Sequence, residues 1–246
     1  MSYIINNINI SNIEIITSTR TGGFSSSPYL SNNMSYNVGD NANDVEKNRA
    51  QFLKETNILG YNLVVSKQRN TDVVLKIDNI TDDREGDSIY TANKDLALAL
   101  IHSDHAPIFI YVKNSDIICA IHATRLNTLS LITEKTIQLL LKKEKCNVND
   151  IHVFFGPGRS LSHTQLDEKL ITKIKNLGYE SSIKQVEDAS YLDINEMNYL
   201  QLVKMGVAQD HITTSEFDTS KNTDLFFSQI EEGVTGRMIS FIRFKN

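Results

Sequence analysis

The sequence predicts an α+β fold. Short β-branched and apolar runs cluster in the middle of the chain, and helix-patterned stretches lie scattered around them instead of alternating with them. With 246 residues and 40% hydrophobic content, the chain also has ample material for a large core. No Pro/Gly/Ser linker, fixed-period repeat or block of like charge marks a boundary, so residues 1–246 are read as a single domain.

The elements follow in order. Residues 8–18 alternate loosely and carry β-branched side chains, predicting the first strand. A turn-rich loop comes next, Arg20-Thr21-Gly22-Gly23-Phe24-Ser25. Asn43 is a suitable N-cap, with Asp44 and Glu46 in the first turn of a helix. Strands are predicted over 63–66, 73–77, 88–91, 97–101, 108–112 and 117–121. An amphipathic helix follows over 128–143, then a strand over 151–155. Helices are predicted over 164–177 and 195–205, the second closed by Gly206, and a last strand over 238–244.

Composition excludes several classes. The charge and hydrophobic fractions rule out a disordered or low-complexity chain. A net charge of -5 argues against a dedicated nucleic-acid binder, which needs a basic face. Two cysteines, Cys119 and Cys146, cannot build a disulfide framework, which suggests a reducing compartment. No stretch approaches the ~20 apolar residues of a membrane span, and the first residues lack a signal-peptide pattern. The expectation is a soluble, cytoplasmic protein with no membrane partner.

Seven of the 11 glycines fall in four loop clusters: Gly22 and Gly23, Gly39, Gly156 and Gly158, Gly233 and Gly236. Such clusters are either plain turns or ligand-facing loops. Arg20 beside Gly22-Gly23 suits an anion such as phosphate, although an arginine in a turn is commonly a surface residue. His105, between two predicted strands, and His122, at a strand end, could meet within the ~4 Å that two ligands on one Zn²⁺ span. Asp104 is then a natural partner for a ring N–H. The plainer reading is a pair of ordinary loop histidines. His152 reads as structural.

These residues resemble a known family. Ser18-Thr19-Arg20-Thr21-Gly22-Gly23-Phe24-Ser25 is similar to its STRxGGxS loop. Asn33, Val38-Gly39-Asp40 and Asn48-Arg49 resemble its N-x-G…VGD…NR stretch. Gln68 with Asp72-Val73-Val74 resembles the flanks of QVHGxxV, Ser103-Asp104-His105-Ala106-Pro107 resembles ADCxP, and His122-Ala123 opens the counterpart of HAGWRG. Gly156-Pro157, Leu192-Asp193-Ile194, Asp224-Leu225-Phe226-Phe227-Ser228 and Thr235-Gly236-Arg237 complete a match over nearly the whole chain. The family is YfiH, the laccase-domain proteins long called multicopper polyphenol oxidases and later described as zinc-dependent purine nucleoside enzymes.

The resemblance implies a four-layer α/β/β/α domain with a metal on three residues, which fall here at Asn70, His105 and His122. Only His122 matches the family residue. His105 replaces a cysteine and Asn70 a histidine, and an amide is a poor ligand. Thr124-Arg125-Leu126-Asn127 stands where the family has Gly-Trp-Arg-Gly. The implied cofactor is zinc, with copper the alternative and His102 or His163 as replacement third ligands. The implied partners are a purine nucleoside and phosphate, the latter held by Arg20, Gly22, Gly23 and Ser25. Arg20 and Asp104 are the implied catalytic residues, the reaction being phosphorolysis of adenosine, inosine or guanosine, or adenosine deamination. The competing expectation is a non-catalytic member that binds a ligand or protein partner, because three motifs have lost ligating or polar residues together. A monomer or small homo-oligomer is expected in either case.

Overall fold

In chain order the strands are β1 (Tyr3–Asn6), β2 (Ile13–Ser18), β3 (Leu63–Val65), β4 (Val74–Lys76), β5 (Ser88–Thr91), β6 (Ala97–His102) and β7 (Pro107–Val112). There follow β8 (Ile117–His122), β9 (Ile151–Phe155), β10 (Leu161–Gln165), β11 (Ile183–Val186), β12 (Ala189–Asp193), β13 (Ile212–Thr214) and β14 (Met238–Phe244). The helices are α1 (Ala42–Glu55), α2 (Arg125–Thr128), α3 (Ile132–Lys142), α4 (Glu168–Asn176), α5 (Ile194–Lys204) and α6 (Gln229–Glu232). This computed structural model describes the chain apart from residues 7, 9, 83, 84 and 246 and the side chain of residue 61.

Two large sheets carry the fold. One has the order β1-β2-β14-β6-β3 and the other β13-β9-β7-β8-β5-β4; a third, small sheet is β10-β12-β11. Side chains alternate across each strand, and that alternation decides the layers. On β7 and β8, Ile108, Ile110, Ile117, Cys119 and Ile121 pack against Ile137 and Leu140 of α3 and Leu202 of α5. Their neighbours Phe109, Tyr111, Ile118 and Ala120 turn the other way, onto Leu98, Leu100 and Ile242 of the five-stranded sheet. The far side of that sheet presents Ile16, Ala97, Ala99 and Phe241 to Phe52 of α1. The result is helix, sheet, sheet, helix. Burial on both faces explains why the central strands read as unbroken apolar runs.

The structure departs from the sequence expectations where caps and turns intervene. The predicted helix over 128–143 is split, because Leu131 takes a left-handed conformation (φ 63°) between α2 and α3. The predicted helix over 164–177 begins only at Glu168, capped by the Asp167 side chain, and residues 161–165 form β10 instead. Helix α1 is capped by Asn41 rather than Asn43. The first predicted strand starts at Ile13, after a turn at Ser11 and Asn12; Asn9 lies outside the described residues. Among the described residues, no helix is long and apolar enough to cross a membrane.

Candidate active site

Strand register builds the site. Pro107, opening β7, pairs with His122, closing β8, and Ser88, opening β5, pairs with Ile121 beside it. Asp87, His105 and His122 therefore gather at one end of the central strands of the six-stranded sheet. The His122 amide donates to the Asp87 carbonyl at 2.7 Å, and its ring Nδ1 lies 2.9 Å from Asp87 Oδ1. With a carboxylate as partner, Nδ1 carries the hydrogen and Nε2 is left for chemistry.

Asp87 is fully buried. Its second oxygen accepts from the Arg69 amide at 3.0 Å and the Thr71 amide at 2.8 Å. Burial works against its charge, but hydrogen bonds from His122 and these two amides outweigh it and hold the carboxyl below its ordinary range. On the other side, Asn127 Nδ2 donates to the His122 carbonyl at 2.7 Å. Asn127 also closes a capping box with Thr124 at the start of α2. The segment Thr124–Asn127, which lost the family's Gly-Trp-Arg-Gly, thus still fixes His122.

The His105 and His122 rings meet edge to face, with centroids 5.6 Å apart. Burial first, then the neighbouring His122, His163 and Arg237, push the His105 pKa down to about 3. Its imidazole is neutral at physiological pH. In front of it lies a cavity of about 470 Å³ lined by His105, Arg125, Arg159, His163 and Gln229. Arg159 reaches Glu231 only at 3.9 Å. The Arg125 guanidinium has no hydrogen-bond or ion-pair partner among the described residues.

The residues do not fit zinc or copper in the implied form. A catalytic zinc takes three protein ligands, and the His105–His122 pair supplies two. Asn70 is exposed, sits in a left-handed turn (φ 58°) and offers only a neutral amide. The suggested replacements do not complete a set: His102 is buried with Nε2 2.7 Å from Ser240 Oγ, and His163 is exposed on β10. Among the described residues, no group of three or more His, Cys, Asp or Glu is arranged to hold a metal. Both thiols are buried, and burial pushes Cys119, in β8, up to about 12.

Other predicted residues brace loops. Asp104 does not hold a histidine ring; that partner is Asp87. Its carboxylate instead accepts from Ser228 Oγ at 2.6 Å, the Ile230 amide at 3.1 Å and Thr219 Oγ1 at 3.3 Å, fixing the start of α6. Arg20 donates to the Thr223 carbonyl at 2.6 Å and Glu232 at 2.7 Å, with its guanidinium over the Phe227 ring. The amides expected to meet phosphate are turned inward. Gly23 N donates to Ser31 Oγ, Phe24 N to Asn48 Oδ1, and Ser25 N to the Ser31 carbonyl. Gly22 is in a left-handed turn (φ 88°), and a Cβ on Gly23 would lie 2.4 Å from the Ser31 carbonyl oxygen. These glycines therefore serve the turn and its packing.

Sequence reasoning gave no role to Asp87, Arg125 or Arg159. Asp87 stands one residue before a short strand, and its importance follows only from the pairing of that strand with the one ending at His122. Arg125 read as a lost motif residue, and only the fold turns it toward the cavity that His105 faces.

Paired histidines at strand ends, one of them lining a cavity, on back-to-back sheets sheathed by helices, define a class of fold. The chain belongs to the multi-copper polyphenol oxidoreductase laccase family, whose profile matches residues 14–245. It is 31% identical over 253 residues to the purine nucleoside phosphorylase YlmD of Bacillus subtilis (strain 168), covering 96% of this chain and 91% of that protein. The crystal structure of YlmD from Geobacillus stearothermophilus superposes with a TM-score of 0.87 at 28% identity, over 96% of this chain and 93% of that one. That of the hypothetical protein YfiH from Bacillus licheniformis does so with 0.87 at 27%, over 95% and 93%. These relatives support a purine-nucleoside-related enzyme.

Proposed function

We propose that this chain cleaves purine nucleosides with phosphate. The observation that carries the reading is the Asp87–His122 pair beside a neutral His105, which lines a cavity with two arginines, one of them, Arg125, without a bonded partner among the described residues. Arg125 and Arg159 suit a phosphate dianion, and the cavity volume of about 470 Å³ is of the size that small-molecule ligands occupy.

A phosphate oxygen forms a bond to C1′ as the bond from C1′ to the purine nitrogen breaks. The electron pair passes to the base, which takes up a proton, and the products are free purine and ribose 1-phosphate. Positive charge develops on the ribose in the transition state. A neutral His105 does not oppose it, whereas an imidazolium would. His122, oriented through Nδ1 by the Asp87 carboxylate, exchanges the proton at Nε2. No step is assigned to a metal, since the donor set falls one ligand short. The nucleoside and phosphate are the small-molecule partners, and the chain acts as a monomer or small homo-oligomer in the cytoplasm.

The test is chromatographic. Inosine, adenosine or guanosine incubated with the purified chain should release free base only when phosphate is present. Release of inosine from adenosine without phosphate would point to deamination instead. A second reading, binding without catalysis, draws on the amide at Asn70; no turnover of any of the three nucleosides would favour it and overturn the proposal.

A further inference from the structure

A cavity larger than the one in front of His105 lies elsewhere. It has a volume of about 580 Å³ and sits on the α1 side of the five-stranded sheet, between α1, the loop at 35–37 and the segment after β3. It shares no lining residue with the cavity in front of His105. Its floor is apolar, formed by Phe52, Leu63, Val65, Ile101 and Ile239. Its rim carries Arg49, Lys67 and Arg69, and among the described residues no acidic side chain lines it. In a chain of net charge -5, that balance makes the cavity a local site for an anion.

Arg49 is built for the task. Its Nε donates to the Met34 carbonyl at 2.8 Å, and its guanidinium lies over the Tyr36 ring, 4.6 Å from the centroid. Both contacts fix the side chain. They leave the two terminal nitrogens without a hydrogen-bond acceptor among the described residues. A fixed guanidinium with two free donors matches the bidentate geometry of a phosphate. Lys67 has no ion-pair partner among the described residues, and Arg69 is held at Nε by Glu85 at 3.0 Å. The apolar floor and the Tyr36 ring suit a flat ring system, and the volume accommodates base, sugar and phosphate together.

We propose that this cavity binds a nucleoside monophosphate, its phosphate on Arg49 and Lys67 and its base on the floor of Phe52, Leu63 and Ile239. The site does not rest on the nucleoside-cleavage reading, which uses other residues. A neutral nucleoside leaves the arginine unpaired, so the phosphate sets the selectivity. The wall residue Gln68 exchanges two hydrogen bonds with the Ile101 backbone, at 2.7 and 2.9 Å. A ligand there thus rests on a wall already fixed to the sheet.

Calorimetric titration of the full chain with AMP, adenosine and inorganic phosphate tests this. AMP should bind roughly tenfold or more tightly than adenosine, as expected for a charge-assisted pair, and its affinity should fall as salt rises. R49Q should weaken AMP binding by about tenfold or more, and K67Q, at an exposed position that leaves folding untouched, by a few-fold. R125Q should leave it unchanged. Equal affinity for AMP and adenosine, or no change in K67Q, would overturn the proposal even if R49Q fails to fold. Loss of AMP binding in R125Q would do the same, by placing the ligand in front of His105.

Discussion

Arg20, in the loop after β2, and Arg125, at the start of α2, both stand in segments that the family motifs mark, and their surroundings differ. Arg20 is spent on its own fold, bonded to Thr223 and Glu232 and stacked on Phe227. Arg125 follows directly on the His122–Thr124 segment and lines the cavity with no partner of its own among the described residues. An arginine beside glycines signals an anion site only while its guanidinium and the nearby amides stay free. The same contrast separates Asp104, which fixes the 219–230 segment, from Asp87, which orients His122. One region supports and the other presents reactive atoms.

The largest effect that sharpens this contrast should come from Asp87→Ala. It leaves the His122 ring and the Arg69 and Thr71 amides without their acceptor, so urea unfolding should show a loss of about 3 kcal/mol or more. A loss below ~1 kcal/mol would break the claim that Asp87 organises the site. His122→Gln should next lower kcat/KM for nucleoside cleavage by about 100-fold or more, with a smaller stability loss than Asp87→Ala because the Arg69 and Thr71 amides keep their acceptor.

Acid should act through His105, whose pKa burial pushes down to about 3, and equally through His102. Burial, then repulsion from His122, depresses its pKa to about 3 in the folded chain, against roughly 6.5 unfolded. The folded-state value is lowered, so this contribution is complete above the unfolded pKa. It is lost as pH falls toward about 3, at up to roughly 1.4 kcal/mol per pH unit. Denaturation curves of His102→Gln should show a flatter acid side than the parent; equal slopes would remove His102 as a cause.

Asn70→His tests the missing ligand directly. Elemental analysis after purification without chelator should rise from below one metal ion per chain to about one. The smallest effect should be that of Lys135→Ala, which removes the surface pair to Asp72 and should cost under about 1 kcal/mol. A larger loss would mean that this pair, rather than Asp87, holds the 66–73 loop.

Much of the fold was legible because the central strands are buried on both faces and read as continuous apolar runs. The missed strands are short, such as β11 and β13, or half-polar, such as β10 with Ser162, His163 and Thr164. The break at Leu131 was invisible because nothing in a leucine announces a positive φ. For the site, the convergence of His105 and His122 could be drawn from strand order. The Asp87–His122 bond could not, since it depends on β5 pairing with β8. The inward amides of Gly23 and Phe24 depend on Ser31 and Asn48, contacts set by tertiary packing.

The most direct test compares Arg20→Gln with Arg125→Gln, each assayed for phosphate-dependent release of purine base from inosine and each checked for folding. Arg125→Gln should raise the KM for phosphate by about tenfold or more in a chain of normal stability, and Arg20→Gln should lower stability while the folded fraction keeps its KM for phosphate. A stable Arg20→Gln chain that has lost its response to phosphate, beside an Arg125→Gln chain that responds normally, would contradict both expectations.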